Sequence, residues 1–162
     1  MKTNPLNNHY RQGDVAIQRI DSLPRNLKLV DREAGRVILA HGEVTGHAHA
    51  FLGADTKKFT DEQGREFFDV RGQPIRANLP IMRRWKSQVM VNHPEHGIIE
   101  FAETDVQVIG DRVVVDGSFE LLKHDEHHAH GVPSGLYRGA NDANGTVRQR
   151  EYSPEAIRNV TD

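Results

Sequence analysis

No stretch of this chain keeps its apolar residues at a helical spacing of about 3.6 over any useful length. Short runs of alternating or β-branched residues recur instead, roughly every ten residues, with Gly, Pro, Asp and Asn between them. Val15-Ala16-Ile17, Val37-Ile38-Leu39, Val89-Met90-Val91, Ile98-Ile99, Val113-Val114-Val115 and Phe119 to Leu122 are such runs. The pattern predicts an all-β chain, one domain over residues 1–162, built as a barrel or a jelly-roll-like sandwich. Residues 1–9 read as a loose polar arm, and residues 53–63 as a polar loop. Arg71-Gly72-Gln73, Gly110-Asp111 and Asp116-Gly117 read as hairpin turns. Residues 81–86 fit a helical turn or a strand equally well. Ser153 as N-cap, Pro154 at the first position and Glu155 in the first turn predict a short C-terminal helix.

The chain has 162 residues, 36% of them apolar and 27% charged, which is enough to build a core and too apolar for disorder. Its net charge of −2 gives no general attraction to nucleic acid, so nucleic acid is not a favoured partner. The start lacks the apolar run of a signal peptide, and no segment is long enough for a membrane helix. The cytoplasm is therefore the expected location, with no membrane partner. There are no cysteines, which removes disulfides, thiolate metal sites and cysteine nucleophiles. Any metal must be held by nitrogen and oxygen.

Ten histidines are the compositional oddity, and their grouping carries more than their number. His47 and His49 follow Gly42-Glu43-Val44-Thr45-Gly46, a five-residue connection suited to a hairpin. On a strand they share a face with Phe51, while Ala48, Ala50 and Leu52 make the other face apolar too. Such a strand is expected to be covered on both sides, and buried imidazoles need partners. A second group, His124-Asp125-Glu126-His127-His128-Ala129-His130, lies far away in sequence. Two histidines from one strand and one or two from another can hold zinc, iron, manganese or nickel. The expected ligands are His47, His49, His124 and His127, with Glu43 or Glu126 as a carboxylate. Glu120, Leu122 and His124 share one strand face, whereas His127 lies past a turn that hides its direction. His128 and His130 read as an exposed approach to the Val132-Pro133-Ser134-Gly135 turn. His93 and His96 repeat the His-x-Glu-His spacing, but Pro94 and Gly97 mark an exposed turn, so they are not expected to be ligands.

The residues Gly42, His47, His49, Pro133 and Gly135 in an all-β setting resemble the cupin superfamily. That resemblance implies a jelly-roll barrel around a divalent metal, in proteins that are dioxygenases, isomerases, decarboxylases or non-enzymatic binders. The chain departs from the cupin pattern where a glutamate usually follows the histidine pair, since Leu52 and Gly53 stand there. Its second histidine group also precedes the Pro-x-Gly turn instead of following it. The run Gly-Glu-Val-Thr-Gly-His-Ala-His, then His-x-Glu-His, Pro-x-Gly-x-Tyr and Arg-Gln-Arg-Glu-Tyr, also resembles a group of uncharacterised bacterial and phage proteins. This second resemblance implies no activity, but it matches at His124 and His127 rather than at His128 or His130.

Arg148, Arg150 and Tyr152 alternate toward one strand face and form a candidate clamp for a carboxylate or phosphate. Arg83, Arg84, Trp85 and Lys86 form a basic-aromatic patch of the kind that can stack a base. The leading expectation is a metal-binding barrel that acts on, or binds, a small polar or anionic molecule. The alternatives are a metal-free enzyme using histidine as acid and base on a phosphodiester, and a non-catalytic module that binds another protein.

Overall fold

The computed structural model describes residues 9–41 and 47–140, and it is almost entirely β-structure. In chain order the first strands are β1 (His9–Gln12), β2 (Val15–Ile20), β3 (Lys28–Val30), β4 (Val37–His41) and β5 (Ala48–Phe51). Next come β6 (Lys57–Thr60), β7 (Glu66–Val70), β8 (Gln73–Pro80), β9 (Arg83–Trp85) and β10 (Gln88–His93). The last are β11 (Gly97–Ala102), β12 (Gln107–Ile109), β13 (Arg112–His124), β14 (His127–Pro133) and β15 (Gly135–Gly139). No helix among the described residues is long and apolar enough to cross a membrane. The C-terminal helix expected at 153–159 lies outside the described residues.

The strands make two sheets. One runs β1-β2-β15-β7-β6-β3, and the other runs β4-β5-β13-β14-β11-β10-β9 with β8 and β12 also paired to β13. Tyr10, Ile17, Phe68, Val70 and Tyr137 of the first sheet pack against Val37, Phe51, Leu122 and Val132 of the second in one buried cluster. That shared core makes the architecture a sandwich. A second cluster, including Ile75, Val91, Ile99, Val113 and Phe119, packs on the other side of β13. Alternation along β13 explains how one strand serves both. Phe119 and Leu121 enter the second core, while Leu122 enters the first.

Three expectations from sequence need correction. Asp116-Gly117 is no turn, because β13 runs straight through it for 13 residues, pairing Gly117 with Ile75 of β8. A Cβ on Gly117 would stand 3.1 Å from the Phe119 ring, so the glycine clears space for an aromatic neighbour. Arg71-Gly72-Gln73 does not close a hairpin either, since β7 and β8 belong to different sheets. Gly72 is where the chain crosses between them: a Cβ there would lie 2.0 Å from the Phe119 carbonyl carbon. Its N–H donates to Ser134 Oγ, at the second crossing, from β14 to β15. The polar stretch 53–63 contains β6, which pairs with β3 and β7. Lys57, Lys58 and Thr60 hid it, because a half-exposed strand needs little apolar content.

Candidate functional site

β4 and β5 form the expected antiparallel pair around residues 42–46, and β13 lies on the other side of β5. All four residues of β5 are buried, so the two-sided cover read from the sequence is present. The ladders beside the histidines are irregular. Ile38 pairs with Ala50 but Ala40 with His49, and Leu122 pairs with His130 but His124 with His127. In the second case β14 advances three residues while β13 advances two. This bulge turns His127 to the face that His124 occupies.

The two histidine groups therefore meet. His49 stacks on His124 with centroids 4.2 Å apart, and His127 lies 4.8 Å from His124 and 5.5 Å from His49. His47 stands edge-on to His124 at 6.1 Å. His49 is 1% exposed and His124 7%. His47 Nδ1 and His127 Nε2 are buried and make no hydrogen bond. On the solvent side, His47 Nε2 is 3.2 Å from Asp125 Oδ2 and its Nδ1 is 3.7 Å from Glu126 Oε2. Among the described residues no three donor atoms of this cluster lie within 4.8 Å of one another. Closing it on one ion takes side-chain rotation.

Gln12, at the end of β1 and 1% exposed, was not singled out from sequence. Its Nε2 donates to the Leu122 carbonyl at 2.8 Å and the His128 carbonyl at 2.9 Å, beside the bulge. Both amide hydrogens are then committed, so Oε1 faces His49 Nδ1 at 2.8 Å as an acceptor. His49 Nδ1 must carry the hydrogen, which leaves the Nε2 lone pair for the cluster. His124 is held the opposite way. The Glu126 N–H donates to its Nδ1 at 3.0 Å, so in the neutral ring Nε2 bears the hydrogen. Gly13, in the tight β1–β2 turn at φ +63°, lies against His127 and His49, and a Cβ on it would stand 3.1 Å from His127 Nε2 and 3.3 Å from His49 Cε1.

Glu126, the candidate carboxylate, lies at the rim with Oε2 3.7 Å from His47 Nδ1. Glu43, Arg148, Arg150 and Tyr152 lie outside the described residues. His130 is not an exposed approach to a turn: it lies within β14, and its Nε2 is 3.0 Å from Glu100 Oε1, its cross-strand neighbour on β11. In the basic-aromatic patch, Arg84 is committed to Glu103, while Trp85 is 60% exposed.

A cavity of about 800 Å³ lies elsewhere, lined by Val15, Ile17, Leu39, Phe67 and Arg138 among others, with none of the four histidines. Its charged members are engaged, Arg65 with Asp61 and Glu66 with Lys58, so its size alone assigns no ligand.

Glu120 shares the His124 face but serves a different group. It accepts from Thr56 Oγ1 at 2.9 Å and from Gly53 N–H at 3.0 Å, and a Cβ on Gly53 would collide with it at 2.0 Å. Burial raises its pKa above the usual carboxylate range, against the pull of those hydrogen bonds and of Arg32. A raised folded pKa stabilises the fold below the unfolded pKa, and that contribution is lost as pH rises through the folded value. Glu120→Gln is expected to flatten the loss of stability as pH rises above the ordinary glutamate pKa, read by urea denaturation at a series of pH values from acid to neutral. An unchanged slope would contradict the assignment.

Residues 11–111 match the family described as a domain of unknown function (DUF8820). The chain belongs to this family. The DUF8820 match takes in Gln12, His47 and His49 and stops before His124 and His127. No curated protein and no solved structure matches the chain.

Proposed function

We propose that this protein binds a divalent transition metal between His47, His49, His124 and His127, and that the ion serves chemistry on a small polar or anionic molecule. The observation that carries this is the meeting of four imidazoles from two distant segments at one place. Gln12 adds support, because metal-bound histidines are typically oriented by a partner on the other ring nitrogen. Binding at His124 would cost the hydrogen bond from Glu126 N–H, about 1 kcal/mol, which is small beside a metal bond. Zinc, iron, manganese and nickel all accept such a donor set. A bound ion would supply an activated water or a polarised substrate oxygen. Asp125 and Glu126, on the open side of His47, are placed to take or return a proton. The cupin-like reading of this site rests on Gly42, His47, His49, Pro133 and Gly135 in an all-β chain.

A metal-free reading has one observation in its favour: His47 faces carboxylates while His49 is oriented by Gln12, an acid–base arrangement. Elemental analysis of untagged protein separates the two. About one tightly retained transition-metal ion per chain is expected, and its absence after growth and purification in metal-replete conditions would contradict the first reading.

A further inference from the structure

We propose that the turn between β10 and β11 is a second divalent-metal site, with His93, Glu95 and His96 as ligands, independent of the four-histidine cluster. Among the described residues these three are the one set of histidine and carboxylate donors whose ligand atoms already lie within 4.8 Å of one another. The backbone explains the gathering. His93 and Gly97 are the last paired residues of the hairpin, and Gly97 has φ +75°. A left-handed residue there tightens the three-residue turn and folds His96 back over His93. The two rings stand 4.7 Å apart at 34°. Nothing lies within 4 Å of where a Gly97 Cβ would be, so the glycine answers to the turn and not to crowding.

The His-x-Glu-His echo in the sequence is a structural one. The Glu95 N–H donates to His93 Nδ1 at 3.0 Å, and the Glu126 N–H donates to His124 Nδ1 at 3.0 Å. β11 and β14 run parallel, with Ile99 beside Ala129, so both turns sit at one end of the sheet. They serve opposite faces. His93 continues the alternation of Val89 and Val91 into the second core, whereas His49 continues that of Phe51 into the first. The two sets of ligands are therefore separate.

Two imidazoles and a carboxylate leave coordination positions to water and suit borderline ions: copper(II) most tightly, then zinc(II) and nickel(II), with magnesium and calcium excluded by the nitrogen donors. Glu95 and His96 are exposed and His93 is half-buried, so an ion enters without opening the fold. As at His124, the ion must displace a backbone N–H from the His93 Nδ1 or switch that ring's tautomer. With two imidazoles instead of four and two of its three ligands exposed, this is the weaker site, filled on titration and not retained through purification.

The test is calorimetric titration of the full chain with zinc(II), for wild type, His47→Ala/His49→Ala, His93→Ala/His96→Ala and Glu95→Gln, with folding checked by circular dichroism. The His47/His49 variant is expected to keep about one zinc(II) per chain at the turn. The His93/His96 variant should lose that uptake, and Glu95→Gln should weaken it by roughly tenfold. If the His93/His96 variant titrates like wild type, or the His47/His49 variant binds nothing, the second site is overturned while the four-histidine reading stands. If uptake follows His93 and His96, the second site stands, and the ion retained through purification, read by elemental analysis of the same samples, decides the four-histidine reading separately.

Discussion

His49→Ala is expected to abolish retention of the metal ion and to destabilise the fold by about 1–3 kcal/mol, the cost of stranding a buried polar partner. The ring sits at 1% exposure between His124 and His127 and is tied to Gln12. Removing it takes away the donor whose lone pair is fixed in advance, and it leaves Gln12 Oε1 with no hydrogen to accept. Gln12→Leu separates the two effects. It keeps the imidazole but frees its tautomer, so affinity should fall by roughly 10–100-fold without full loss. His47→Ala should also abolish retention, but with little effect on stability, because His47 lies at the solvent side of the cluster. Metal content and urea denaturation of the three variants check this together. Equal stability losses for His47→Ala and His49→Ala would contradict the role given to Gln12.

The other large effect belongs to the core. Phe51→Ala is expected to cost about 3–5 kcal/mol. Phe51 is fully buried, meets Phe68 of the opposite sheet at 6.5 Å in an edge contact, and pairs with Leu122 of β13. Its ring joins the two sheets two residues from His49, so its loss opens a void in the core beside the site. A domain holds only about 5–15 kcal/mol in all. Leu52→Ala, one residue along and 48% exposed, should change stability by no more than about 0.5 kcal/mol. Thermal or urea unfolding of the pair decides it. Similar losses in both would mean that β5 is not buried as described.

The all-β architecture was legible because short alternating runs bounded by turn residues leave few other solutions. What sequence could not supply was which strands share a sheet. Gly72 and Ser134 mark crossings between sheets, yet each looks like ordinary turn chemistry, since the close approach of Gly72 to Phe119 involves residues far apart in the chain. The histidine pair at the start of β5, His47 just before it and His49 within it, was readable from its spacing, and His124 from its alternation with Glu120 and Leu122. The direction of His127 was hidden by a bulge, because one extra residue in β14 reverses a strand's facing without leaving a sequence signal. Gln12 carried no signal either: a lone glutamine in a short strand says nothing until its three partners are in place. His130 was misread as exposed because its partner, Glu100, comes from a parallel neighbour that local patterning does not reveal.

The central claim is that two histidine groups, distant in sequence, form one metal site. Cobalt(II) absorption tests it most directly, because the visible bands report ligand type and geometry, and the ion substitutes for zinc in nitrogen-rich sites. Wild type, His49→Ala, His124→Ala and His130→Ala would be titrated under the same conditions, each in a His93→Ala/His96→Ala background so that the β10–β11 turn adds no cobalt bands. The account predicts a nitrogen-ligated spectrum in wild type, its loss in His49→Ala, and affinity lower by at least about tenfold, or 1.4 kcal/mol, in His124→Ala. His130→Ala should leave the spectrum unchanged. A spectrum that survives His124→Ala intact, or one that His130→Ala removes, would contradict it.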